Sequence, residues 1–263
     1  MKQPLFFLIC FCLTFSVIAE AKSSSGMDFK NIEDPAEHIA LERKAALAEE
    51  KLLLWVLGGD WCHDSRSLAS KLATPEMQTI IDKHYRLSTI SVGYLNAGFE
   101  FTQIANMLTF YATPTVLIIE PENMQLLNAH DMHIWANADL VSMADTLSYM
   151  QRYSTAKIPE SSNLELTDLS NKQKMLAVAL NDFIQEQEQR IRNSYLIVGP
   201  YLEQYKAGVS NPEFEKSWQA LATLRMALPK IIEKNREIIK AGESDELDLT
   251  DESLKPLPWE TSL

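Results

Sequence analysis

The sequence predicts an α/β domain, with a mixed central sheet flanked by helices, followed by an all-α helical hairpin. Three observations carry this reading. Residues 52–57 (LLLWVL) and 115–119 (TVLII) are continuous apolar runs, the pattern of strands covered on both faces. Residues 85–92 (YRLSTISV) alternate and are rich in β-branched side chains, as a strand does. Beyond residue 168 such runs stop, and apolar residues recur at spacings of three and four.

The elements follow in order. Asp34-Pro35-Ala36-Glu37 opens a helix, with Asp as cap, Pro in the first turn and Glu three residues on. The apolar run 52–57 is a strand ended by Gly58-Gly59. A helix after Cys62 reaches about residue 73, and Thr74-Pro75-Glu76 restarts one to about residue 84. The strand 85–92, a helix over 99–108, the strand 115–119, a strand near 125–129 and an amphipathic helix over 139–152 complete the first part. Helices and strands so interleaved give a mixed sheet with helices on both faces. Polar residues 154–168 read as a linker between a domain at 34–153 and a helical hairpin domain at 169–242. Leu176, Leu180, Phe183, Gln187, Ile191, Tyr195, Val198 and Leu202 line one face of the first long helix, which Gly199-Pro200 is expected to kink or break. Phe214, Trp218, Leu221, Arg225, Leu228, Ile232 and Ile239 line the second. The hairpin carries more apolar face than it can bury on itself, so it packs on the first domain, on a second copy or on a partner. A homodimer through these helices is one expectation.

The two ends have their own signatures. Residues 1–21 read as a signal peptide: Lys2, an apolar stretch at 5–18 too short for a comfortable span, and a small-x-small site at Ala19-Glu20-Ala21. Cleavage there predicts an exported protein, periplasmic or else secreted, with no stable membrane insertion. Residues 22–33 read as a flexible lead-in. Residues 243–263 hold seven acids and one lysine and read as a disordered acidic tail. The chain of 263 residues carries a formal charge of −12, which excludes the basic footprint a nucleic-acid binder needs. Nothing in it implies a cofactor.

Export changes the cysteine arithmetic. Cys10 and Cys12 leave with the signal, so the mature chain keeps Cys62 as its one thiol and forms no internal disulfide. Cys62 sits in Gly58-Gly59-Asp60-Trp61-Cys62-His63-Asp64-Ser65, the outline of a Trp-Cys-x-x-Cys redox loop with serine at the last position. Cysteine at the start of a helix meets unpaired backbone N–H groups and the positive end of the dipole, which favour an anion.

With that loop, the buried strand that feeds it, and Tyr111-Ala112-Thr113-Pro114-Thr115 ahead of the next buried strand, residues 34–152 resemble the thioredoxin-like superfamily. The variant loop, with Asp64, resembles those of exported bacterial members. The hairpin resembles no family. The resemblance implies a thioredoxin-like fold, Cys62 as nucleophile, and Thr113 with a cis Pro114 against it, binding the substrate backbone. It assigns Cys62, Ser65 and His63 to catalysis and Trp61, Asp64, Thr113 and Pro114 to the substrate. Ser65 also reads as a plain hydroxyl at the helix start, and His63 as a polar loop residue.

Two departures weigh against a dithiol enzyme. Ser65 replaces the resolving cysteine, and Val56 stands where thioredoxins bury an acid. The expected activity is therefore monothiol thiol–disulfide exchange on exported proteins that carry thiols or disulfides. The alternative is a redox-inactive binding or assembly module that uses the peptide groove and the hairpin. His130, Asp131 and His133 are not read as a metal site, because a strand end would point the two histidines apart.

Overall fold

The computed structural model describes residues 27–155 and 169–261. The segment read as a signal peptide, the first residues of the expected lead-in, most of the expected linker and the last two residues lie outside the described residues.

The sheet has four strands in the order β2-β1-β3-β4. β1 (Leu52–Gly58) pairs in parallel with β2 (Tyr85–Ser91), from Leu52↔Tyr85 to Gly58↔Ser91. It pairs antiparallel with β3 (Thr115–Glu120), from Leu53↔Ile119 to Leu57↔Thr115. The two-residue β4 (Gln125–Leu126) pairs antiparallel with β3. α1 (Pro35–Glu49) precedes β1, and Asp34 caps it by accepting from Glu37 N–H at 2.9 Å. α2 (His63–Leu72) and α3 (Pro75–His84) link the two parallel strands. α4 (Phe99–Ile104) lies between β2 and β3, and α5 (Met143–Thr155) follows a 3₁₀ helix at Met132–Asn137. This mixed sheet with flanking helices is compatible with a thioredoxin-like fold.

The continuous apolar runs follow from two cores. Leu53, Trp55, Leu57, Leu117 and Ile119 point to one face of the sheet, and Leu54, Val56, Val116 and Ile118 to the other. The second face is closed by α2, α3 and α5 through Leu68, Leu72, Met77, Ile81, Tyr149 and Met150. The first is covered by α1 and α4, through Ala46, Phe99 and Phe101, and its core extends to the long helices α6 (Asn171–Lys206) and α7 (Phe214–Ala241). Ile191, Tyr195, Val198, Leu221, Leu224 and Leu228 join the same core as Trp55 and Leu117. The helices run antiparallel, since Gln173 near the start of α6 donates to Ile239 O near the end of α7 at 2.8 Å. Part of the hairpin's apolar face is thus buried in the core it shares with the sheet, while Met175, Val178, Leu196 and Tyr205 stay exposed.

Several sequence expectations are corrected. α6 does not break at Gly199-Pro200: Pro200 forfeits one backbone bond, but the helix continues to Lys206 with the flanking Tyr195, Val198 and Leu202 buried. The strand expected near 125–129 ends at Leu126, so His130 lies in a turn and His133 in the 3₁₀ helix. The lead-in is not loose over 27–33, because Phe29 is buried and Lys30 bridges Ile90.

The acidic tail is not disordered either. Residues 243–261 fold back along the hairpin. Arg190 donates to both carboxylate oxygens of Glu260, at 2.9 and 2.8 Å, and to Leu254 O and Lys255 O. Asn235, wholly buried, brackets Asp248 by bonds to its backbone O and N–H. Leu257 is buried, and Trp259 Nε1 donates to Ser194 Oγ. Charge density argues for disorder only where no apolar anchors and no cation await the segment.

Arg190→Ala is accordingly expected to cost about 1–3 kcal/mol and to open residues 243–261 to protease. The Arg190 guanidinium, bonded to Glu260, holds that carboxyl below its usual 4.5. Its contribution is therefore complete above pH 4.5 and is lost as pH falls through the lowered value. Limited proteolysis across that range checks both expectations.

Candidate functional site

β1 delivers the chain to the Cys62 loop. Gly58 ends the strand where only a hydrogen fits: a Cβ would lie 2.6 Å from the Phe29 ring and 2.7 Å from Ser65 Oγ. Cys62 N–H then donates to Gly59 O at 2.9 Å and closes the turn. Cys62 becomes the cap residue of α2, in an extended conformation, and makes no side-chain capping bond. Its sulfur, half-buried, stands at the helix N-terminus, where the dipole favours negative charge.

The sulfur's partner is Thr113, and the Thr113–Pro114 peptide is cis. Thr113 Oγ1 donates to Cys62 Sγ at 3.3 Å, and Sγ donates to Thr113 O at 3.2 Å. The two contacts serve opposite states. The hydroxyl supports a thiolate, and the carbonyl accepts from a thiol. The loop thus holds the sulfur in either state.

Ser65 is wholly buried, and its Oγ accepts from Gly59 N–H at 3.4 Å, tying the loop from beneath. His63 is 69% exposed, with Nε2 4.0 Å from Asp139 Oδ1. The acidic neighbours each have a backbone donor: Asp64 Oδ1 accepts from Asp139 N–H at 3.0 Å, and Asp60 Oδ1 from Phe29 N–H at 3.3 Å. Trp61 Nε1 donates to Gly93 O at 2.7 Å, and the indole stacks on Tyr94 at 6.3 Å. The structure therefore brings Cys62, Thr113 and Pro114 together and sets Trp61 beside them. It turns Ser65, His63 and Asp64 to other partners. Val56 is buried between Thr89 and Val116 in the register.

Asp131 is occupied by the hydroxyls of Tyr149 and Tyr153, each at 2.8 Å, and by Arg152. Among the described residues no group of His, Cys, Asp and Glu converges as a metal set would.

Sequence reasoning missed the residues behind the Thr113 loop. Glu188 on α6 is 1% exposed, accepts from Leu108 N–H at 2.8 Å, and takes the phenol hydrogen of Tyr111 on its other oxygen. Tyr195, fully buried, donates to Phe110 O at 2.6 Å. Burial raises the Glu188 carboxyl above its ordinary 4.5, partly offset by the bonds from Tyr111 and Leu108. Burial, then the facing carboxylate, pushes the Tyr111 phenol up. The Glu188 sign is opposite to the usual carboxylate case. Below pH 4.5 both folded and unfolded chains hold the proton, and the burial cost of the charge grows as pH rises through the raised value. The thermal stability of Glu188→Gln relative to the parent is expected to rise between pH 4.5 and neutrality, because the glutamine carries no charge to bury. A difference that does not change with pH contradicts this.

Beyond the loop lies a cleft of about 1260 Å³ between the first domain and the hairpin. Met107, Pro114, Met124, Glu188, Met226 and Pro229 are among its walls.

No family model matches the sequence, and no curated protein matches it. Among solved structures, the chain is similar to a disulphide isomerase from Xylella fastidiosa Temecula1, at 19% identity and a TM-score of 0.40, over 49% of this chain and 98% of that one.

Proposed function

We propose that the chain is a thioredoxin-like monothiol protein that exchanges disulfides in exported proteins, with Cys62 as nucleophile. The observation that carries this reading is the placement of the Cys62 sulfur at the N-terminus of α2, within hydrogen-bond reach of both polar atoms of Thr113. The Cys62 thiolate attacks one sulfur of a substrate disulfide. That S–S bond breaks, a Cys62–substrate disulfide forms, and the other substrate sulfur leaves as thiolate. A second substrate thiolate then attacks the substrate sulfur of the mixed disulfide. A new substrate disulfide forms and Cys62 is restored as thiolate, so isomerisation needs no external oxidant. Net reduction instead requires a separate thiol as resolving partner. Ser65 cannot serve, because a hydroxyl is not acidic enough and this one is committed to Gly59.

In this reading Trp61 and Tyr94 form one wall of the substrate site, and Thr113 and Pro114 the other. Leu140, 83% exposed and next to the Asp139 that holds Asp64, offers an apolar contact at the rim. Export rests on residues 1–21, and Lys22 is the N-terminus expected from sequencing of the exported protein. The decisive experiment is acid quenching of a reaction with a scrambled disulfide protein, followed by mass spectrometry. A mixed disulfide at Cys62 supports the reading, and its absence under catalytic turnover contradicts it.

A second reading has its own observation. The cleft between the Thr113 loop and the hairpin, lined by methionines together with charged residues such as Lys230, Glu233 and Arg236, has room for a ligand with no thiol chemistry. A protein of that kind binds as well with Cys62→Ala as without it.

A further inference from the structure

We propose that Glu188, on the hairpin, is a positioning residue for Cys62 and acts through the loop that ends in Thr113. The inference rests on Cys62 being the reacting group, and it extends the site to a helix 126 positions further along the chain.

The loop has few tethers of its own. α4 ends at Ile104 and β3 begins at Thr115. Among the described residues, none of 108–114 takes part in a backbone–backbone hydrogen bond outside the regular elements. Thr115 Oγ1, at the start of β3, donates to Ala112 O at 2.7 Å, and the bonds that fix the rest of the loop ahead of Thr113 come from α6. Glu188 Oε2 accepts from Leu108 N–H at 2.8 Å, Glu188 Oε1 accepts from the Tyr111 hydroxyl, and Tyr195 donates to Phe110 O at 2.6 Å. Tyr195 also stacks on the Phe110 ring at 5.0 Å. At the other end of the same loop, Thr113 meets Cys62 Sγ through both its hydroxyl and its carbonyl. One carboxylate therefore grips the loop at two points, two and five residues before Thr113.

Glu188 is 1% exposed, and among the described residues no cation acts on its carboxyl, so an ionised carboxylate here is a costly way to fasten a loop. A carboxylate nevertheless offers what this place needs, because both of its oxygens accept and the loop presents two donors. Shifting a sulfur's hydrogen-bond donor by a fraction of an ångström is enough to change its reactivity, since hydrogen bonds weaken steeply off their preferred geometry.

The test reads Cys62 alkylation by iodoacetamide at neutral pH in the native full-length chain, by mass spectrometry of the Cys62 peptide. Thr113→Ala removes the hydroxyl donor and is expected to slow alkylation about fivefold, the size of one hydrogen bond. Glu188→Ala releases the loop and slows it by a similar factor. The double variant is no slower than Thr113→Ala alone, because the second change has nothing left to misplace. Glu188→Gln restores the parent rate: its oxygen accepts from Leu108 N–H and its amide nitrogen donates to the Tyr111 oxygen. Tyr111→Phe, which deletes one bond and spares the carboxylate, gives a smaller slowing and stands in if Glu188→Ala does not fold. A parent rate in Glu188→Ala and Tyr111→Phe, or slowdowns that multiply in the double variant, overturns the proposal. These rates need no exchange activity, so they separate from the exchange reading. That reading fails if the parent chain forms no mixed disulfide, whatever Glu188 does.

Discussion

Cys62→Ala is expected to abolish catalysed disulfide exchange, leaving the uncatalysed rate of the substrate. The size of the effect follows from the site. Cys62 is the only free cysteine among the described residues, and no other nucleophile is placed beside Thr113. Ser65, the residue that completes the loop pattern, is buried and engaged with Gly59, so it cannot take over. Cys62→Ser keeps the shape and is expected to be as inactive, because a hydroxyl is not ionised near neutrality. Neither change should unfold the chain. The sulfur's bonds are weak and half-exposed, so their loss costs about 1 kcal/mol or less. Refolding of a scrambled substrate measures activity, and thermal unfolding measures stability. Undiminished exchange by Cys62→Ala sinks the monothiol assignment.

Gly199→Val is expected to lower stability by about 3 kcal/mol, or roughly 5–10 °C in melting temperature. Two effects oppose each other. Replacing a helical glycine by a residue with a side chain removes unfolded-state freedom and favours the helix by up to about 1 kcal/mol. Against this, a Cβ at 199 would lie 2.2 Å from Tyr94 O, a backbone atom that cannot swing aside. The steric term wins, and α6 must withdraw from the loop after β2. Tyr94 stacks on Trp61, so the displacement also reaches the wall of the Cys62 site. Exchange should fall along with stability. Calorimetry checks the first effect. An unchanged melting temperature shows that α6 does not press on Tyr94.

Much of this arrangement was legible in the sequence, and the parts that were not share a cause. That Thr113-Pro114 meets the Cys62 loop was implied by the resemblance alone; the buried runs at β1 and β3 announced strands covered on both faces. Those signals are local, set by side-chain periodicity and backbone chemistry. Glu188 escaped because a glutamate flanking an apolar stripe reads as solvent-facing. Only the tertiary placement of Leu108 and Tyr111 gives its two oxygens donors. The acidic tail escaped for the converse reason. Its charge dominated the reading, while Leu257 and Trp259, and the Arg190 that waits for Glu260, lie far apart in sequence. His130 and His133 were placed on a strand that the structure ends early, at Leu126. Asp139, which holds Asp64 and faces His63, has no sequence signature.

The central claim is that the fold makes the Cys62 sulfur a better nucleophile than it is in an unfolded chain. The most direct measurement compares alkylation of Cys62 by iodoacetamide at neutral pH in the native protein and in the same protein unfolded in urea, read at the Cys62 peptide. The account predicts faster reaction in the native state, because the α2 N-terminus and the Thr113 hydroxyl support the thiolate in a half-exposed site. Slower reaction in the native state, or none until urea is added, contradicts it and leaves the cleft beside the hairpin as the feature that explains the protein.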